Sequence, residues 1–251
     1  MRSTARQQAA MRIEEVTTDA GFAQLREPWN ALVALIDGHV FLRHEWFFAA
    51  WAWQRNQASL YILCAYEGAR LVAVWPLVVS RDTAHPGTRL TFLSVPDTQW
   101  CDLLADPASA PAAGPAMVEH LLSNGPHWDQ LCLDRLPQDS AAKTWLAPAL
   151  FEGGVPAHVE AVDSNPFVDL SLSWPDYLAT LPRGIKKTRN LAANRLSRAG
   201  EAEVEWVTSR TASVSDVQRS IDQVADLSAR SWKRGTGNSL EASGPNAFIR
   251  S

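Results

Sequence analysis

Cysteine is scarce in this sequence, long apolar runs are missing, and the stretch from Pro182 to Gly200 contains no acid at all. The three cysteines, Cys64, Cys101 and Cys132, are odd in number and form no CxxC pair. That excludes a disulfide framework as the leading reading and points to reduced thiols in a cytoplasmic protein. The longest apolar run, LVAVWPLVV from Leu71 to Val79, is half of the roughly 18 residues that a membrane span needs, and it contains a proline. No bilayer crossing is expected. The first ten residues, MRSTARQQAA, lack the apolar core of a secretory signal and are too short for a transit peptide. They read as a disordered tail, with Met11 as an alternative start. His39, His44, His85, His120, His127 and His158 are scattered without metal-ligand spacing, and there is no GxSxG motif. A zinc site and covalent serine hydrolysis therefore have no support.

What is present is an ordinary globular composition, 46% apolar and 20% charged over 251 residues, which suffices for a proper core. Trp46, Trp51 and Trp53 fall within one short helical run. Burial against a sheet is the plain reading for them, and a flat ligand platform the sharper one. The charge is unevenly distributed. The whole chain stands at −4, yet PRGIKKTRNLAANRLSRAG carries Arg183, Lys186, Lys187, Arg189, Arg195 and Arg198; without those six, 17 cations face 27 anions, a net charge of −10. A positive field confined to one element suits the holding or steering of an anion better than general coating of nucleic acid.

Periodicity gives an order of elements. MRIEEVTT reads as a strand, GFAQLREPWNALVALID as a helix in spite of Pro28, and RHEWFFAAWAWQR as a second helix. SLYILCAYEG and ARLVAVWPLVVSRD are strands that meet at a glycine-containing hairpin turn, and TRLTFLSV is a third. GPAMVEHLLSN (helix), WDQLCLDRL (strand), SAAKTWLAPALFEGG (helix), and PAHVEAV and PFVDLSL (strands) follow. Interleaved helices must cover a sheet with parallel neighbours, which predicts an α+β fold with a mixed, largely antiparallel sheet. SWPDYLATLP reads as a short helix with Ser173 as N-cap. On the basic helix, Ile185, Ala192, Leu196 and Ala199 share one side, while Arg183, Lys187, Asn190, Asn194 and Arg198 lie on the other. AEVEWVT then reads as a strand and the segment from Val214 to Trp232 as an amphipathic helix whose apolar face has no strand to receive it. This pair looks like the opening of a second domain cut short.

The stretches EPWNALV, FLRHEWFFAAWAW, LYILCAYEGARLVAVWPLVV, LTFLSVPDTQWCDLLAD, DQLCLDRLP, NPFVDLSLSWPDYLATL, KKTRNLAANRLSRAGEAEVEWVT and LSARSWK resemble the tandem-GNAT, CelD-like bacterial acyltransferases, which are also similar to the Fem peptidoglycan aminoacyltransferases; the resemblance covers roughly Val16 to Lys233. The resemblance implies a GNAT fold over residues 11–172, a helical linker over 173–200 and an incomplete second GNAT fold over 201–251. It implies N-acyl transfer from acetyl-CoA or another acyl-CoA, bound as co-substrate, to a small-molecule, saccharide or peptide amine in cell-envelope or exopolysaccharide synthesis. The second copy is the expected donor-binding half. In the first copy, where a GNAT phosphate loop would offer several glycines, only Gly114 is available, between Ala113 and Pro115, so that copy is not expected to hold coenzyme A.

The expected substrate-binding residues are Arg183, Lys187, Asn190 and Arg198 on the basic helix, with Trp100 and Asp102 in the loop DTQWCD after a strand. Each has a plainer alternative. The helix can be a solvated face, and Asp97 after Pro96 is a good turn residue. No catalytic residue is assigned, because direct attack of an amine on a thioester needs orientation, a base and an oxyanion donor and no covalent nucleophile. A non-catalytic GNAT-like binding module and a Fem-like transferase using aminoacyl-tRNA remain as alternatives. DNA binding is not expected.

Overall fold

The computed structural model describes residues 11–81, 87–161, 164, 166, 168–208, 210–237 and 239–251. The expected tail at 1–10, together with Asp82, His85, Val162, Asn165 and Phe167, lies outside them. The chain divides into two units, residues 1–159 with 221–251, and residues 160–220.

The first unit is built on a mixed sheet. β1 (Arg12–Val16), β2 (Ala58–Glu67), β3 (Arg70–Arg81) and β4 (Thr88–Phe92) pair in sequence, each antiparallel to the next. β5 (Leu104–Ala105) also pairs antiparallel with β3, and β6 (Gln130–Cys132) closes the order by lying parallel to β4. The β2–β3 turn uses Gly68 at φ 62°, which suits a residue without Cβ. Its tip is tied down: Arg70 donates to Asp106 at 2.5 Å and to Glu67 at 2.7 Å, while Ser109 Oγ donates to Glu67 at 2.8 Å. The Arg70 guanidinium beside Asp106 holds that carboxyl below the usual carboxylate range.

Both faces of the sheet are covered, which is why β2 and β3 read as nearly continuous apolar runs rather than alternating ones. Period two still sorts the side chains. Tyr61, Leu63 and Ala65 join a core with Met117, Val118 and Leu121 of α4 (Ala110–Asn124) and with Leu146 and Leu150. Leu60, Ile62 and Cys64 join the opposite core with Phe22, Trp29, Phe47 and Trp51 of α1 (Asp19–Gln24), α2 (Arg26–Leu35) and α3 (His44–Gln54). A turn of π-helix, Ala142–Leu146, leads into α5 (Ala147–Glu152) on the α4 side.

Two local features differ from the sequence-based expectation. The single helix expected across Gly21–Asp37 breaks at Leu25, and Pro28 sits in the first turn of α2, where its missing N–H would have had no partner in any case. The helix expected from Gly114 starts four residues earlier, at Ala110, which places Gly114 inside it. A Cβ on Gly114 would stand 2.6 Å from Trp145 Cβ, so this glycine permits close packing of α4 against the π turn.

Between α2 and α3, Glu45 accepts from Arg26 at 3.1 Å and from Asn30 at 3.0 Å. Burial works to raise its carboxyl, but its own amide, Asn30 and Arg26 hold it down to about 2. His44 is buried, with Nε2 2.8 Å from the Phe22 carbonyl, edge-on to Phe22 and stacked on Phe48. Burial lowers its pKa.

The second unit holds α6 (Trp174–Thr180), α7 (Arg183–Ala199) and the start of α8 (Val214–Ala229), which continues into the first unit. Ser173 caps α6 as expected, accepting from the Asp176 amide at 3.3 Å. The strand expected over 202–208 does not form; Val204 is 75% and Trp206 82% exposed. The described residues of 156–161 and 168–172 are likewise without strand pairing, and Leu170 is 87% exposed. Alternation makes a segment fit to pair, but a ladder needs a neighbour, and none is paired with these runs. α9 (Ser243–Arg250), which periodicity missed, packs on α3 through Phe248.

Candidate functional site

The most elaborated surface feature of the sheet unit is an excursion between β4 and β5. β4 ends opposite Leu77 and β5 begins opposite Val74, so residues 93–103 face only Trp75 and Pro76 of β3. Pro76 supplies the cause. Its carbonyl accepts the Leu93 amide at 2.9 Å, which shows that this side of Pro76 faces β4. In a closely bonded antiparallel pair the same residue would also donate to its opposite number, and proline has no N–H to give. The ladder stops there, the chain leaves the sheet, and it rejoins when the Asp106 amide reaches the Val72 carbonyl at 2.8 Å.

The excursion is fastened along its length. Arg135, at φ 60°, donates to Ser94 Oγ at 3.1 Å and to the Val95 carbonyl at 2.9 Å, and its own carbonyl accepts the Cys101 amide at 3.1 Å. Thr98 Oγ1 accepts from the Val95 amide at 3.0 Å and from Trp46 Nε1 at 3.1 Å. Gln54 donates to the Ser94 carbonyl. Asp102 caps the helix that begins at Ala141: Oδ1 accepts from Ser140 Oγ at 2.7 Å, from Ala142 N at 2.8 Å and from Leu103 N at 2.8 Å, while Oδ2 accepts from Ala141 N at 2.9 Å. Burial pushes this carboxyl above its ordinary range against the pull of those donors. Burial also pushes the neighbouring Cys101 thiol up to about 12, which keeps it a thiol and a poor nucleophile.

Trp100 is half-buried on the outside of this loop. It meets His39 edge-on at 4.1 Å, and from there a row of rings continues: His39 lies stacked on Phe41 at 6.2 Å, and Phe41 stands edge-on to Trp46 at 4.7 Å. Phe248 of α9 meets Trp46 at 5.0 Å and Trp53 at 6.2 Å. Trp51, by contrast, is buried and donates to Asp19 at 2.6 Å. Burial thus accounts for Trp51, whereas Trp46 and Trp53 belong to a half-buried aromatic row reaching Trp100.

Arg183, Lys187, Asn190 and Arg198 all lie exposed on α7 in the second unit. Lys186 donates to the Ala179 carbonyl at 2.9 Å, and Arg189 lies over the Trp174 ring at 5.6 Å. Among the described residues no carboxylate pairs with any of the six cations of this helix. Arg183 and Lys186 stand in its first turns, where the positive end of the helix dipole disfavours them. An anion placed there would relieve that repulsion. The predicted site residues therefore fall in two groups, Trp100 and Asp102 in the sheet unit and the other four on α7.

Pro76 and Arg135, which shape the excursion, were absent from the sequence-based candidates. A proline in the middle of an otherwise continuous buried strand was the available signal for the first; no local pattern marks the second. Compared with known proteins, the chain matches no protein-family model and no curated sequence.

Proposed function

We propose that this chain belongs to an acyl-CoA-dependent N-acyltransferase of the GNAT type, with the sheet unit shaping the acceptor side and the cationic face of α7 taking the phosphates of the donor. The observation that carries the reading is the sheet order: an antiparallel run β1 to β4, then a helix α4 that returns the chain as β6 parallel to β4, with β4 opened at its end by the 93–103 excursion. Loops at the carboxyl ends of parallel strands are where such sheets receive ligands. In the reaction, the acceptor nitrogen bonds to the thioester carbonyl carbon, the carbon–sulfur bond breaks, the amine proton passes to a base, and coenzyme A leaves as its thiol. Trp100 and its ring neighbours offer apolar contact for the acceptor. Asp102 acts from behind, by fixing the loop to the helix at Ala141.

A second reading, a GNAT-like module that binds without catalysis, is favoured by one observation. Gly114, the glycine expected at the phosphate loop, lies inside the crossover helix α4, buried against Trp145, and so lines no anion-binding loop. Titration of acetyl-CoA at low and moderate salt separates the two. The transferase reading expects saturable binding that weakens with salt and is lost in Lys187→Glu/Arg198→Glu; an absence of binding in the unaltered chain overturns the donor role of α7 and leaves the binding module.

A further inference from the structure

A groove of about 540 Å³ opens at the other end of the β4–β6 parallel pair, among the strand ends that point away from the 93–103 excursion. Arg55, just after α3, and Arg81, at the end of β3, both line it, with Ser59, Thr88, Asn56 and His127. The sheet dictates part of this arrangement. Ser59 pairs with Val79 and Arg81 with Thr88, and period two places Ser59, Val79 and Arg81 on a single face. Among the described residues no carboxylate lines the groove and neither arginine is ion-paired. Asp129, which meets two of the lining residues, is already committed: Oδ2 accepts the Thr88 amide at 2.6 Å, and Oδ1 lies 3.4 Å from His127 Nε2.

Two guanidinium groups around one opening, with no carboxylate partner among the described residues, are out of keeping with a chain whose net charge is −4. Their planar, fixed donors match phosphate oxygens two at a time. The space is far more than a bare phosphate requires, since a water occupies about 30 Å³ of liquid. Besides the arginines and His127, the lining mixes the hydroxyls of Ser59, Ser80 and Thr88 and the amides of Asn56 and Gln57 with the apolar Ala58 and Val79, which suits a polyol better than a long acyl chain. We propose that this groove is a binding site for a phosphorylated small polyol of sugar-phosphate size, with the phosphate between Arg55 and Arg81 and the hydroxyls against Ser59, Asn56 and Thr88. The groove is lined by residues of the first unit alone, and the proposal does not depend on the transferase reading.

The test is calorimetric titration of the whole chain with glucose 6-phosphate, glucose and inorganic phosphate at one ionic strength. The same titrations are run on Arg55→Gln/Arg81→Gln and on Lys187→Glu/Arg198→Glu, with circular dichroism to confirm that each variant is folded. The sugar phosphate is expected to bind and glucose not to; the Arg55/Arg81 variant should bind at least about tenfold more weakly, and the α7 variant as the unaltered protein does. Failure of the unaltered chain to bind the sugar phosphate at millimolar concentration overturns the proposal. So does binding that survives loss of both arginines, or that falls equally in the α7 variant. Inorganic phosphate binding as tightly as the sugar phosphate would overturn the assigned ligand class.

Discussion

Ser140 Oγ lies 2.7 Å from Asp102 Oδ1, joining the end of the 93–103 excursion to the start of a helix 38 residues further along the chain. The same carboxylate receives the first free amides of that helix, Ala141 and Ala142. A group so placed acts as an N-cap supplied from a distance. Asp102→Ala removes the acceptor for three amides and a hydroxyl and should destabilise the fold by about 1–3 kcal/mol. Asp102→Asn should recover only part of that, because its NH2 would face an N–H donor on one side. Chemical denaturation of the three proteins checks the order.

His44 should make stability fall on mild acidification. Its imidazole is neutral in the core, and burial holds its folded pKa below the ordinary 6.5. The unfolded chain therefore binds the proton first, and the stability present above 6.5 is lost progressively as the pH drops below it. His44→Phe keeps a ring in the cluster and removes the titration. Unfolding free energies measured between about pH 7.5 and 5.5 should slope for the unaltered protein and be flatter for the variant.

Glu45 governs a lower window with the same direction. Its contribution is fully present above the ordinary carboxyl value of 4.5 and disappears as the pH falls through about 2. The group is partly exposed, so Glu45→Gln should cost no more than about 1 kcal/mol at neutral pH. A difference between variant and parent that shrinks towards pH 2 would be the signature.

The thiols should differ sharply in reactivity. Cys64 and Cys101 are buried, with pKa values pushed up to about 12, whereas Cys132 is half-buried beside the Arg89 guanidinium at 3.0 Å. Iodoacetamide on the native protein should modify Cys132 alone, and all three after denaturation; mass spectrometry of the peptides reads the result.

Gly114→Ala should destabilise the sheet unit by about 1–3 kcal/mol, although alanine is the better helix former. The added methyl would meet Trp145 Cβ at 2.6 Å and the Trp145 backbone carbonyl at 3.1 Å. For that reason Trp145→Ala, which retains both atoms, should not rescue it. A thermal melt of the single and double variants decides.

The sheet was legible because β2 and β3 are long, apolar and joined at Gly68, and α3, α4 and α7 because their spacing is helical over many residues. The Ser173 cap was legible from a local rule. The failures have physical causes as well. AEVEWVT has the composition of a strand, but pairing is a property of two segments, and a single sequence names only one. Asp102 looked like a residue offered to a ligand because its partners, Ser140, Ala141 and Ala142, are distant in sequence and near only after folding. The charge on α7 was visible at once, since it depends on composition alone.

One missing hydrogen atom on Pro76 separates the length of a loop from the frame of the sheet. β4 and β5 are both registered on β3, one on either side of that point. Residues inserted or deleted between Ser94 and Cys101 need not shift a single rung of the ladder, and closing a somewhat longer loop adds little entropy. Diversification can therefore act on the mouth of the β4–β6 pair while every core side chain keeps its face, so a new specificity need not begin with a new fold.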